Sequence, residues 1–135
     1  MNILLFITPK KDVEFLYDDF TLRQALEKME HHRYSAIPII NKQGNYIGTL
    51  TEGDILWYIK NHHDLSIRSA ENENIMSIPR YHDNKPITAS CSLADVFSLA
   101  MQQNFLPVID DKNVFIGIIT RKKILENLTH KNPVQ

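Results

Sequence analysis

The sequence predicts an α/β (α+β) fold made of two pseudo-symmetric β-α-β-β-α repeats that pack through their sheets. The first observation is an internal repeat of 69 positions, in which Pro38, Gly48, Thr51 and Ile55 return as Pro107, Gly117, Thr120 and Ile124. The second is that hydrophobic periodicity changes between helical and strand-like in the same order in both copies. A long period that occurs only twice favours a pair of mutually buried units over a solenoid.

The first helix of each repeat is predicted from apolar residues at helical spacing behind a good capping residue. Thr21 precedes the run that starts at Leu22, and Ser92 precedes the run that starts at Leu93. Threonine and serine are favoured at this position because their side-chain oxygens accept hydrogen bonds from the first turn. Each repeat is therefore expected to contain an amphipathic helix after its first strand.

A β-hairpin and a second helix follow in each repeat. The β-rich runs are Ala36 to Ile40 and Tyr46 to Leu50, then Leu106 to Ile109 and Val114 to Ile119, each pair separated by turn-forming residues. The second helix is predicted to start near Thr51 and near Thr120. Leu22 and Leu93 lie 71 positions apart, so the second copy is expected to lack two residues between its first helix and its hairpin.

The boundary between the repeats is predicted in a polar stretch without firm periodicity. The first repeat is expected to cover residues 1–61, the linker residues 62–77, with a short helix before Pro79, and the second repeat residues 78–135. The two repeats together are expected to form one module.

Composition and charge argue against several classes of protein. The formal net charge of −1 gives no global positive field for binding nucleic acid or an anionic membrane. No apolar run approaches the roughly 20 residues of a membrane span, and the first residues lack the pattern of a signal peptide. Cys91 is the only cysteine, so no internal disulfide is expected. The expected location is the cytoplasm.

No motif in the sequence predicts catalysis or metal binding. The pairs His31-His32 and His62-His63 are sequence neighbours, whose side chains point about 100° apart on a helix, so neither pair presents two ligands together. The chain also has no Gly-rich phosphate loop and no nucleophile elbow. Trp57 and Tyr58 are expected to pack in the core or at a subunit interface rather than on a ligand. We therefore expect no metal site, no cofactor and no enzymatic activity.

The repeated motifs resemble those of the CBS domain, in the tandem arrangement called a Bateman module. The resemblance rests on an apolar-Pro strand around Pro38 and Pro107, and on a Gly-x-x-Thr segment that begins at Gly48 and Gly117. Both motifs occur twice and in register, so the resemblance covers nearly the whole chain. The second half is also similar to small stand-alone CBS-pair proteins of Gram-positive bacteria that bind cyclic di-AMP.

The resemblance implies a regulatory sensor that binds an adenine nucleotide and signals its presence to a partner protein. Related modules pair into a two-fold disc, so we also expect a homodimer, through helix faces that carry Ile55, Ile59, Ile124 and Leu128. Two alternatives stay open, namely an interaction module whose clefts are empty and an enzyme with an unrecognised site. Asp54 favours the sensor, because its carboxylate can accept hydrogen bonds from a ribose, whereas a scaffold needs only a helix cap.

The first predicted nucleotide site, for AMP or ATP, is built around Thr51 and Asp54. Their spacing is close to that of a capping box, which by itself stabilises a helix by about 0.5–2 kcal/mol. The repeat favours binding, because a helix N-terminus offers N–H groups to phosphate and a carboxylate can accept from both ribose hydroxyls. The resemblance implies that Asp54 contacts the ribose and Thr51 a phosphate. It also implies that residues of the other copy enclose the base: Pro86, Ile87, Phe105 and Leu106.

The second predicted site, for cyclic di-AMP, departs from this pattern. Lys123 occupies the position of Asp54 and has only donors, so it cannot accept from a ribose. Arg121, Lys122 and Lys123 place three cations in the first turn of a helix, where an anion would offset the unfavourable dipole. These cations are either solvated or form a phosphate clamp with Thr120. The resemblance implies that the clamp faces residues of the first half that hold an adenine: Val13, Tyr34, Ser35 and Ala36.

Overall fold

The structure is a computed structural model that describes residues 3–62 and 66–131. The chain divides into two compact units. We call Glu14–Asp83 the contiguous unit, and Met1–Val13 with Asn84–Gln135 the split unit. Residues 1–13 thus belong with the second repeat's hairpin and helices, and the segment up to Asp83 belongs with those of the first. Each unit has its own sheet and its own apolar core.

The helices and strands follow the predicted order. The strands are β1 (Thr8–Pro9), β2 (Leu16–Tyr17), β3 (Ala36–Ile40), β4 (Tyr46–Thr51), β5 (Phe105–Ile109) and β6 (Phe115–Thr120). The α-helices are α1 (Leu22–His32), α2 (Glu52–Asn61), α3 (Ile67–Ala70), α4 (Leu93–Ala100) and α5 (Arg121–Lys131). Short 3₁₀ turns occupy Ile3–Phe6, Lys10–Asp12 and Ile75–Ser77. The α/β class with two repeats is confirmed, as is a short helix before Pro79.

The contiguous unit contains a three-stranded sheet in the order β2-β3-β4, with β2 parallel and β4 antiparallel to β3. Helix α1 begins behind Thr21, whose side chain accepts a hydrogen bond from the backbone of Gln24, so the predicted cap is confirmed. The buried face of the sheet and the helices form one core: Leu16, Leu22, Ala25, Met29, Ile37, Ile39, Leu50, Ile55, Ala70, Ile75 and Ile78.

The split unit contains a three-stranded sheet in the order β1-β6-β5. Strand β1 pairs antiparallel with β6, which places Thr8 opposite Ile118. Ile87 alone makes a parallel bridge to Val108, so the first strand of the second repeat is reduced to one residue. The core of this unit includes residues from both ends of the chain: Ile3, Phe6, Ile87, Val96, Ala100, Leu106, Val108, Ile119 and Ile124.

The two hairpins share irregular features as well as strands. The register shifts between Ile39 and Ile40 in one hairpin and between Val108 and Ile109, the equivalent step, in the other. Each turn also has one residue with positive φ, Gly44 at 89° and Asn113 at 65°. Glycine adopts this conformation freely and asparagine tolerates it, so the turn residues explain the common geometry.

The predicted loss of two residues in the second repeat appears mainly as a shorter helix. Helix α1 has 11 residues, whereas α4 has 8. The residue that caps the C-terminus of α1, Arg33, has a left-handed φ of 58°, whereas the C-cap of α4, Met101, lies in the right-handed helical region. The connection from the first helix to the hairpin therefore differs in conformation between the repeats.

The sequence predicted that Ile55 and Ile124 lie on exposed faces of α2 and α5, and this prediction is wrong by one residue in each helix. Ile55 and Ile124 belong to the two cores, where Ile59 and Leu128 pack against them. The neighbouring residues Leu56 and Leu125 are exposed instead, at 58% and 64%. Successive residues on a helix point about 100° apart, so a one-residue error exchanges a buried face for a solvent face.

Candidate functional site

The start of helix α2 is a complete capping box. The hydroxyl of Thr51 accepts from the backbone N–H of Asp54 at 3.0 Å, and the Asp54 carboxylate accepts from the N–H of Thr51 at 3.1 Å. Two backbone donors of the first turn are thereby satisfied. The sequence spacing of these two residues therefore has a structural role, whatever ligand they bind.

Asp54 also holds a second segment of the contiguous unit. Its other oxygen, Oδ1, accepts from the backbone N–H of Tyr81 at 3.1 Å. The residue is only 7% exposed. A carboxylate offers about four lone-pair sites, so two backbone hydrogen bonds leave capacity for ribose hydroxyls on the same group.

Arg80 and Asp83 fix the segment that carries Tyr81. Asp83 accepts from the backbone N–H of Thr49 at 2.9 Å and pairs with Arg80 Nε at 2.7 Å. A Cβ atom at Gly48 would lie 2.5 Å from this carboxylate, which explains why strand β4 has a glycine here. Sequence reasoning missed both charged residues, because the hydrogen bond that ties Asp83 to β4 joins residues 34 positions apart in the chain.

A surface pocket opens beside Asp54 within the contiguous unit. Its volume is about 620 Å³, and its lining residues come from α2 and from the segment of Tyr81: Asp54, Trp57, Tyr58, Asn61, His62, Pro79, Arg80 and Tyr81. We call it the Asp54 pocket. Trp57 is 56% exposed there, so it does not lie in the core, and its expected place at a subunit interface stays a prediction. Tyr58 donates to Glu73, and this hydrogen bond raises the pKa of the Tyr58 phenol.

The start of helix α5 differs from that of α2, as the sequence predicts. The Thr120 hydroxyl accepts from the N–H of Lys123 at 3.1 Å and so caps the helix. Arg121 points toward the end of α4, where Nε donates to the carbonyl of Ala100 and Nη2 to that of Met101. A cation beside the terminal carbonyls of a helix is favourable. Arg121 therefore has a structural role that the sequence analysis did not anticipate.

The remaining predicted site residues are divided between the two units. In the contiguous unit, Tyr34 and Ser35 are exposed and Ala36 is half-buried. In the split unit, Lys122 and Pro86 are exposed, whereas four residues are buried: Val13, Ile87, Phe105 and Leu106. The structure thus brings Thr51 and Asp54 together, and Thr120 with the basic turn. Each predicted cleft combines residues of both units, so its assembly stays a prediction.

The described part of the chain contains neither a cluster of metal-ligating side chains nor a helix suited to span a membrane. Among residues 3–62 and 66–131, no three His, Cys, Asp or Glu side chains are grouped as metal ligands would be. No helix in those residues combines the length and the apolar character needed to cross a membrane.

Comparison with known proteins matches both repeats. The CBS domain model matches residues 6–61 and 75–130. CbpB, solved in complex with cyclic di-AMP, is 27% identical, with a TM-score of 0.84 over 96% of this chain and 85% of that chain. CbpB from Streptococcus agalactiae is 28% identical, with a TM-score of 0.79 over 94% and 80% of the two chains. An uncharacterised protein of Methanocaldococcus jannaschii is 26% identical over 94% of this chain and 92% of its own length. The resemblance seen in the sequence is confirmed, and the chain belongs to the CBS domain family as a tandem pair.

Proposed function

We propose that this protein is a cytoplasmic, non-enzymatic sensor that binds adenine nucleotides and signals their presence to a partner protein. The observation that carries the proposal is the buried carboxylate of Asp54 at the Asp54 pocket. A concave site with a convergent buried polar group is the usual form of a small-molecule site. The sensor reading is favoured over an empty scaffold because a helix cap alone does not require a pocket.

We assign AMP or ATP to the Asp54 site because its carboxylate can accept from ribose hydroxyls. Both oxygens already accept backbone N–H groups, which hold the carboxylate in place. Hydrogen bonds to a charged group contribute roughly 1.5–3 kcal/mol. A ribose with both hydroxyls free is the complementary ligand.

We assign cyclic di-AMP to the site at Thr120. Lys123 replaces the ribose acceptor, so this site suits a ligand bound through phosphate and base, whose sugars are tied at both the 3′ and 5′ positions. The CbpB chain solved with cyclic di-AMP, 27% identical to this one, supports cyclic di-AMP as a ligand. Lys122 is exposed in the first turn of α5 and can meet a phosphate directly. Arg121 can do so only by giving up its carbonyl partners.

Calorimetric titration with AMP, ATP and cyclic di-AMP, combined with thermal-shift assays, tests the two assignments. The wild-type protein is expected to bind a ligand of each class. Lys122→Ala is expected to lose most of the stabilisation by cyclic di-AMP, and Arg121→Ala is expected to lose a smaller part, because Arg121 must leave its carbonyl partners to meet a phosphate. Arg121→Ala should also melt a few degrees lower without ligand, because two carbonyls lose their donor. Lys112→Ala, on the hairpin turn, is the matched control and should keep the wild-type stabilisation by cyclic di-AMP.

Two results would contradict the assignments. If cyclic di-AMP does not stabilise the wild-type protein, the basic turn is a solvated helix start. If none of the three nucleotides gives a heat of binding, the sensor function fails and the interaction module becomes the better account.

We also propose a homodimer that buries the Leu56 and Leu125 faces of α2 and α5. These residues occupy equivalent positions in the repeats and are both exposed, and repeat-related positions of this kind can meet across a two-fold interface. Light scattering is expected to give twice the chain mass of 15.7 kDa. The double variant Leu56→Lys/Leu125→Lys should be monomeric, while Gln43→Lys, on an exposed turn, should stay dimeric. A monomeric wild type at micromolar concentration would exclude this interface.

A further inference from the structure

We propose that Trp57 and Tyr81 form a stacking site for a purine ring in the Asp54 pocket. The inference rests on the proposed nucleotide binding and names the residues that hold the base. It differs from the expectation that the second repeat's residues around Leu106 enclose this base. Every residue known to line the pocket belongs to the contiguous unit.

The exposure of the two aromatic residues is not explained by packing. Trp57 is 56% exposed and Tyr81 is 91% exposed, although both have large apolar rings. Large aromatic side chains usually bury most of their surface in folded proteins. Both residues line the same pocket, so a flat ligand between or against them would cover surface that the protein itself leaves open.

The position of Asp54 relative to the two rings fits a nucleoside. Asp54 and Trp57 are three residues apart on α2 and so lie on one face, with Cβ atoms about 5–6 Å apart. Tyr81 is joined to the same carboxylate through its backbone N–H at 3.1 Å. A ribose that donates to Asp54 would therefore place its base beside the rings. Base stacking on aromatic side chains is a common source of affinity.

The second repeat provides an internal comparison. The residue equivalent to Leu56 is Leu125, so this apolar position is retained in both copies. The residue equivalent to Trp57 is Glu126, and the residue equivalent to Asp54 is Lys123. The fold therefore does not require an aromatic residue at this helix position. The aromatic ring and the ribose acceptor occur in the same copy and are absent together from the other, which is expected if they bind one ligand.

The chain allows a direct test, because Trp57 is its only tryptophan. Titration of the wild-type protein with AMP should change the tryptophan emission with the same dissociation constant that calorimetry gives. Trp57→Leu should weaken AMP binding about tenfold, and Trp57→Phe should recover most of the loss. Ribose 5-phosphate, which lacks the base, should bind the wild type and Trp57→Leu equally. Glu126→Leu, at the equivalent position of the other repeat, is the matched control and should keep wild-type affinity.

The outcomes separate this inference from the function on which it rests. If calorimetry shows AMP binding while the emission is constant and Trp57→Leu binds normally, the stacking site is wrong and the nucleotide sensor stands. If neither heat nor emission responds to AMP or ATP, both fail. Circular dichroism tests whether Trp57→Leu is folded. If this variant is unfolded, the emission of the wild-type protein and the affinity of Trp57→Phe decide the question.

Discussion

Replacing Asp54 with alanine is expected to weaken AMP or ATP binding by tenfold to a hundredfold and to lower the stability of the free protein. The affinity falls because a charged acceptor of ribose hydroxyls contributes roughly 1.5–3 kcal/mol. The stability falls because the N–H groups of Thr51 and Tyr81 lose their acceptor. Both hydrogen bonds are partly buried, and the loss of such a bond typically costs about 0.5–1.5 kcal/mol. Thermal melting of the free variant measures its stability, and calorimetric titration below its melting temperature measures its affinity.

Two further variants distinguish a ribose contact from a helix cap. Asp54→Asn keeps one acceptor oxygen and should lose less affinity and less stability than Asp54→Ala. Asp95 occupies the same third position of helix α4, behind the cap Ser92, and is exposed, so Asp95→Ala tests the helix-dipole effect alone and should leave affinity unchanged. A folded Asp54→Ala protein with wild-type affinity would reduce Asp54 to a structural residue.

Gly117→Ala is expected to be the most destabilising substitution of a glycine in the two repeat motifs. The added Cβ would lie 2.3 Å from the backbone carbonyl oxygen of Thr8, so β1 must move away from β6. Overpacking of this kind typically costs 1–3 kcal/mol, and occasionally more. Gly48→Ala meets the end of the Asp83 side chain instead. A side chain can rotate away, so this variant should be affected less.

Urea denaturation of a third glycine variant completes the series. At Gly53 in helix α2 the nearest atom to an added Cβ is Thr51 Oγ1 at 3.7 Å, an ordinary contact distance. Alanine is preferred to glycine in helices by roughly 0.5–1 kcal/mol, so Gly53→Ala should be neutral or stabilising. If Gly117→Ala were as stable as Gly53→Ala, the pairing of β1 with β6 would be disproved.

Features encoded locally could be predicted from the sequence. The caps at Thr21, Ser92 and Thr51 depend on residues within one turn, and the structure confirms all three. Every strand end of the two hairpins was predicted to within one residue, because the turn residues and the β-branched residues are neighbours in the chain. The internal repeat added the prediction of two units with one fold, because a weak pattern becomes more specific when it recurs in register.

Features that depend on distant segments could not be predicted in this way. Strand β1 has only two residues, and its partner in β6 is more than one hundred positions away. The sequence showed that Arg121 adds charge to the first turn of α5, but it could not show that Arg121 donates to a carbonyl group of α4. The position of Trp57 outside the core could not be predicted for another reason. Periodicity identifies an amphipathic helix but does not fix its rotation closely enough to assign a residue at the edge of the buried face.

The pairing of β1 with β6 has a consequence for biosynthesis. The contiguous unit is complete once Asp83 has left the ribosome, so it can fold while the rest of the chain is being made. Ile3 and Phe6 leave the ribosome before the contiguous unit, but the core that buries them includes Ile119 and Ile124. At 5–20 residues per second, these two apolar side chains wait about 5–20 s for their partners. During that interval the nascent N-terminal segment is a candidate binding site for a chaperone that recognises short apolar sequences.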